Sequence, residues 1–465
     1  MSNETKYYPL TSSHRLLTQA EGFVGKIYNN LCIMVNFEQD NIDPAIMEKA
    51  INLSIDRFPS TRVRRHDVKE GKKKVAMQYF VEKSETKCVC LSFKNDDKMY
   101  KYIHKLVRTP FPHDYQDCDL YKVFLVKRAN GRYSILVCFY HLIADAYGII
   151  KFIEDVAKVY KSLKDNTEMP EPFLPILPAY QESWDYEKSP RREKDLAFWK
   201  DFYMSKPVAQ YATINGFHDK YAYIPGKKYG NYLNIFNIKA TQSNYKIPKE
   251  LNERVETFAA ENRFSAKIIY LLALKTWLSK QTDMTEEFFV LDLCANRSKK
   301  ITAKTGGSFA SNIHFYLDAK NSMKFIDACK YTVEWEYKFL KHRRTSQSDI
   351  EPIINERTNI DKVFDKGWVR GTSAFLFTYQ PYFTTGNDDF KMSVERFTTG
   401  KSPMPMYITV MPTDTYSGET NVNYEYMTKN HTEENIAEFH SFLLKFLDKA
   451  TSNPQMTLSE LMNVE

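Results

Sequence analysis

The sequence predicts a mixed α/β protein built as two lobes, and three observations carry that reading. Strand-like apolar runs alternate with helical patterns through both halves of the chain. A proline-rich stretch, Lys164 to Trp184, places four prolines in 21 residues between the two patterns. At 465 residues the chain exceeds the size at which one core stops growing, so two cores are expected. The expected division is a first lobe over residues 1–170, a linker over 171–190 and a second lobe over 191–465.

The elements follow in order. "LCIMVNFEQ" (Leu31 to Gln39) reads as a strand. Asp43 and Pro44 supply the cap and first turn of a helix running to Thr61. "VAMQYFVE" and "CVCLSF" read as a strand pair, followed by a helix near "KMYKYIHKLVRTP". Two β-rich runs around an Ala-Asn-Gly-Arg turn then form a hairpin that ends in "CFYH". The helix after it places Ile149, Ile153, Val156 and Tyr160 on one stripe. Proline density in the linker argues against regular structure there. Beyond it come a helix at "RREKDLAFWKDFY", a two-part helical stretch from "PKELNERV" to "TWLSK", strands at "EEFFVLDLCANR", "SAFLFTYQ" and "MYITVMPTD", and a closing amphipathic helix.

Composition narrows the function classes. Apolar residues make up 43% and aromatics 14%, too much apolar surface for a disordered chain. Seven cysteines, an odd number without a Cys-x-x-Cys pair, read as reduced small hydrophobes, and no run is long enough to span a membrane. These features predict a cytoplasmic protein. A net charge of +7 is modest, and Lys72 to Lys74 reads as a solvated face or hairpin tip. Nothing resembles a nucleic-acid-binding spacing, a Walker loop, a Gly-x-Gly-x-x-Gly turn, a Gly-x-Ser-x-Gly elbow or a set of metal ligands, so nucleic acid and metal are not expected.

The chemistry-bearing stretch is "FYHLIADAYG", Phe139 to Gly148. A histidine at a strand end has a fixed backbone and a ring free to face a cleft, where neutral imidazole suits a general base. Asp145 is near enough in sequence to brace the turn. On residue types alone, a packed and mutually satisfied pair remains the alternative.

This stretch resembles the His-His-x-x-x-Asp-Gly motif of the condensation-domain and chloramphenicol-acetyltransferase-like superfamily of thioester-dependent acyltransferases. Tyr140 stands at the first histidine and Ala146 at the glycine. Further segments are similar in family order over roughly residues 7 to 450. "YPLTSSHRLL" has His14 where a glutamine is usual, and "RFPSTRVR" puts Arg62 at the arginine that pairs with the motif aspartate. "LAFWKDFY" matches the helix after the linker; "VLDLCANRSKK" and "GGSFASNIHFYL" supply Asn296, Arg297, Gly307, Phe309 and Asn312; "SAFLFTYQ" ends in Tyr379-Gln380. "DKGWVRG" (Asp365 to Gly371) is read as a loop.

The resemblance implies two chloramphenicol-acetyltransferase-like lobes in a V-shaped pseudo-dimer, with His141 as base in a tunnel between them. It implies Asp145 and Arg62 as structural residues of the motif and Asn296 and Arg297 at the lobe interface. Tyr140, Ala146, Gly148, Asn312, His314, Tyr379 and Gln380 would line the site. The donor would be a thioester of coenzyme A or of carrier-protein phosphopantetheine, used as a co-substrate with no permanently bound cofactor. The acceptor would be a small alcohol or amine, a separate carrier protein a possible partner, and the protein a monomer. The competing reading is a catalytically silent fold that binds a carrier protein or metabolite.

Overall fold

The computed structural model describes residues 5–464, apart from 72, 208, 210, 217–231, 235–237, 358–363, 366–367, 371–372 and 381–389. Two hydrophobic cores form, each around its own sheet. The first sheet has five strands in the order Met392–Phe397, Asn30–Phe37, Tyr133–Tyr140, Tyr121–Lys127 and Val89–Ser92. Helices Pro44–Arg57 and Ala146–Asp165 pack on one face, where Phe58, Phe139 and Phe152 meet at ring separations of 5.5–6.3 Å. Burying side chains of this size is worth about 1.5–3 kcal/mol each.

The second sheet has six strands, ordered Ser311–Leu317, Phe288–Cys294, Phe375–Tyr379, Met406–Pro412, Thr420–Met427 and Ala240–Ile247. Helix Lys267–Gln281 is apolar on nearly every side and almost wholly buried, as a helix between a sheet and other helices must be. Helices Phe325–Lys341 and Glu433–Ser452 flank it. The fold class is thus α/β with two sheet-and-helix lobes.

One strand breaks the chain order. Met392–Phe397 lies late in the sequence yet pairs with Asn30–Phe37 in the first sheet, and Phe390, Met392 and Phe397 join the first core.

Several expectations are corrected. Lys73–Phe80 pairs with Val63–Glu70, whereas Val89–Ser92 runs parallel to Tyr121–Lys127, so the two predicted partners lie in different sheets. The linker is not irregular throughout: Ile176–Glu187 is helical, because Pro178 falls in the first turn, where no backbone donor is needed. Of the loop expected at 365–371, Trp368–Arg370 pairs with Tyr232–Asn234 and Asp365 lies in a strand; the remainder falls outside the described residues. Among the described residues no helix is long and apolar enough to cross a membrane.

Candidate active site

His141 follows the last residue of strand Tyr133–Tyr140, and its backbone N–H donates to Asn29 O at 2.7 Å. Strand alternation sends successive side chains to opposite faces. Tyr140 therefore points back into the first lobe. Its hydroxyl bonds Arg65 at 2.7 Å and Glu21, Arg65 bonds Glu21 at 2.8 Å, and its ring packs on Tyr115. Tyr140 does not line the site; it anchors the strand from behind.

The His141 ring faces the opposite way, with Nδ1 3.4 Å from Ser308 Oγ of the second lobe. Burial lowers its pKa, partly offset by its own backbone and by Asp145, while the charge of Arg396 lowers it further. The ring is thereby kept neutral at neutral pH, the form that accepts a proton.

Asp145 is bound on every side. It caps helix Ala146–Asp165 through Gly148 N at 2.8 Å, accepts from Phe309 N at 2.9 Å and Ala310 N at 3.2 Å, and pairs with Arg297 at 2.9 Å. With the residue 3% exposed and these donors committed to its oxygens, it clamps the loop.

Arg297 completes the clamp. Its guanidinium lies between the rings of Tyr147 and Phe309, 4.7 Å from each centroid, and donates to the carbonyls of Thr302 and Gly307 at 2.6 and 2.7 Å. Gly307 threads beside the helix start: Asp145 N donates to its carbonyl, and a side chain on Gly148 would meet that oxygen at 3.1 Å. Gly307 has φ +95°, a conformation that only glycine adopts freely. Asn296, before Arg297, takes φ 49° and sits near Ser12 and Arg344 at the lobe boundary.

The structure corrects the partner of Asp145. Arg62 lies in the turn Pro59–Arg62 and donates to Asp56 O at 3.0 Å, away from the motif. The arginine that reaches Asp145 comes from the other lobe.

The remaining candidates separate. Ala146 begins the helix beside the site and stays partly exposed. Asn312 donates to Gln347 at 2.8 Å. His314 is fully buried against Phe289, with Tyr203 bonded to its backbone carbonyl, so it does not line a cleft. Burial lowers its pKa to about 3. Tyr379 points to the core side of its sheet, where it bonds Glu256 and packs on Tyr270. Gln380 is half-buried, with its N–H on Val410 O.

Other residues complete the neighbourhood. Ser308, between the named Gly307 and Phe309, was readable only as the hydroxyl within that segment. His14 is fully buried, edge-on to Tyr180 at 4.9 Å, and its pKa is lowered to about 3 by burial and by His141. Arg396, on the strand that crosses between lobes, had no sequence signal.

Comparison with known proteins identifies the family and the fold. The family model "Condensation domain" matches residues 4–465. Surfactin synthase subunit 1 of Bacillus subtilis (strain 168) is 22% identical over 98% of this chain and 12% of its own length; gramicidin S synthase 2 of Aneurinibacillus migulanus is 22% identical over 98% and 10%. The chain thus spans about a tenth of the curated relatives it matches. Among solved structures, the first condensation domain of the calcium-dependent antibiotic synthetase, in complex with a substrate analogue, superposes with a TM-score of 0.78 at 15% identity, covering 98% of this chain and 99% of that one. A starter condensation domain of the rhizomide synthetase RzmA, in complex with C8-CoA, gives 0.78 at 14% identity over 98% and 97%. VibH, a condensation enzyme, gives 0.72 at 13% identity over 97% and 99%.

Proposed function

Because this chain belongs to the condensation-domain family, a family of acyltransferases, we propose that it moves an acyl group from a thioester to an amine or alcohol with His141 as general base. The observation that carries the reading is the placement of the His141 ring, turned away from the Tyr140 network and clear of Asp145, which is occupied by Arg297 and backbone donors; burial holds its pKa down. Tyr140 stands where the family has its first histidine, and its role behind the strand leaves the His141 ring free to act.

With Nδ1 beside Ser308, Nε2 is the nitrogen that takes the proton from the acceptor as its oxygen or nitrogen attacks the thioester carbonyl. The new C–O or C–N bond forms, the tetrahedral intermediate collapses, the C–S bond breaks, and the imidazolium returns its proton to the departing thiolate. Base catalysis of this kind supplies about 10²- to 10⁴-fold, with further acceleration from holding both substrates in place. The phosphopantetheine arm of the donor, on coenzyme A or a carrier protein, enters as substrate; a relative's complex with C8-CoA supports this class.

The test is thiol release from acyl-coenzyme A and acyl-phosphopantetheine donors with mixed amine and alcohol acceptors. Acceptor-dependent release that disappears in His141→Ala supports the reading. Donor binding with equal background release in both proteins overturns it in favour of a silent binding fold.

A further inference from the structure

The strand that crosses between lobes carries a charge to the polar face of the second sheet. Arg396 pairs in register with Ile33, on the face of the first sheet where Leu31 and Ile33 are partly exposed while the intervening Cys32 is sealed. Its guanidinium reaches the second sheet, donating to Thr409 Oγ1 at 3.2 Å and Glu425 at 3.4 Å and stacking 4.7 Å over the Tyr407 ring.

The register places Thr378, Tyr407, Thr409 and Glu425 on one face of the second sheet, opposite the core face that carries Phe377, Ile408 and Tyr424. A sheet face turned toward another lobe and built from hydroxyls and a carboxylate is made for polar contents. Two neighbours on this face reinforce the point: Gln242 Oε1 and Asn423 Oδ1 are buried acceptors without a partner among the described residues, and Asn423 is 2% exposed. Such acceptors call for a donor, such as the ammonium or hydroxyl of a bound amino or hydroxy acid.

The arginine is oriented and not spent. Its N–H groups bond Thr409 and Glu425 and a further one meets Tyr407, on whose ring its face also rests, while its side chain keeps 23% exposure against 5% for Glu425. A carboxylate behind a guanidinium fixes its plane and leaves the remaining edge for a second planar anion. The guanidinium also stands close enough to His141 for its charge to oppose protonation of the ring.

Resting on the acyltransferase reading above, we propose that Arg396, held by Glu425, Thr409 and Tyr407, is a specificity-determining subsite that binds a carboxylate on the acceptor. The acceptor would then be a small amino or hydroxy acid, its nucleophile at His141 and its carboxylate at Arg396.

The experiment pairs each acceptor with its neutral twin, an amino acid with its carboxamide and a hydroxy acid with its amide, and reads kcat/KM for acyl transfer. The wild-type protein is expected to favour the carboxylate by about 10- to 100-fold, the size of one charge-assisted contact. Arg396→Gln should bring that ratio close to one, chiefly through KM, and Arg396→Lys should keep part of it. A wild-type ratio near one, or a ratio unchanged in Arg396→Gln, overturns the proposal. Calorimetric binding of the same pairs separates the two readings. If no donor is turned over, Arg396-dependent preference for the carboxylate still supports the subsite, and equal binding of both twins sinks it.

Discussion

His141 and His314 are strand histidines held in depressed-pKa surroundings, one in each sheet, and they differ in where along the strand they stand. His141 comes just after its strand ends, so its backbone is pinned by Asn29 while its ring meets Ser308. His314 lies mid-strand, opposite Leu291, and is sealed beneath Phe289 with neither ring nitrogen bonded. Burial alone therefore does not distinguish the two. What separates the two is the braced loop that follows His141 and the contact its ring makes with Ser308.

The sharpest way to break the comparison is to remove the brace. Asp145→Ala leaves the buried Arg297 without its carboxylate, and a loss of about 3–5 kcal/mol in stability is expected, read by urea unfolding. A loss below about 1 kcal/mol would show that the lobes are held by other means. His141→Ala should lower acyl transfer by about 10²- to 10⁴-fold. Its unfolding midpoint should stay close to that of the wild type, since the ring's side-chain contact with Ser308 is long, at 3.4 Å.

The pH response sharpens the contrast further. His314 has a folded pKa of about 3, below its unfolded value, so the unfolded chain binds the extra proton as pH falls from 6.5 toward 3. Stability should fall with acid by about 1.4 kcal/mol per pH unit from this group alone, and His314→Leu should remove that slope in a comparison of denaturation at pH 4.5 and 7. Transfer activity should follow His141 instead, persisting below pH 6.5 because its folded pKa is lowered. A kinetic midpoint above 6.5 would contradict the buried, neutral ring. The smallest effect is expected for Arg62→Ala. A partly exposed arginine bonded to one carbonyl should cost under about 0.5 kcal/mol, against the large loss that a partner of Asp145 would show.

The sequence was most informative where the relevant contacts are local. The hairpin ending in His141, the cap at Asp145 and the helix after it are set within a few residues of chain, and strand periodicity with capping chemistry exposed them. Arg62 was assigned to Asp145 from the resemblance of its segment to a family motif, whereas tertiary pairing decides which arginine arrives. The turn at Pro59 directs Arg62 to Asp56, and the loop after Cys294 brings Arg297 across. His314 and Tyr379 were expected in the site because they follow or end recognisable segments. Each is turned away by the pleat and its neighbours, which a one-dimensional pattern of short apolar runs does not fix. Arg396 escaped notice for a related reason: a strand that leaves its own lobe has no local signature.

That borrowed strand also has a biosynthetic consequence. The edge at Asn30–Phe37 stays unpaired until Met392–Phe397 has been made, roughly 250 residues after the rest of the first sheet, a delay of roughly 10–50 s at ordinary elongation rates. Throughout that interval the nascent first lobe presents a long strand with open hydrogen-bonding groups, a template for pairing with another chain. Efficient production of this protein should therefore depend on chaperone protection at the ribosome. A fragment ending before residue 392 should aggregate even though most of its own core residues are present.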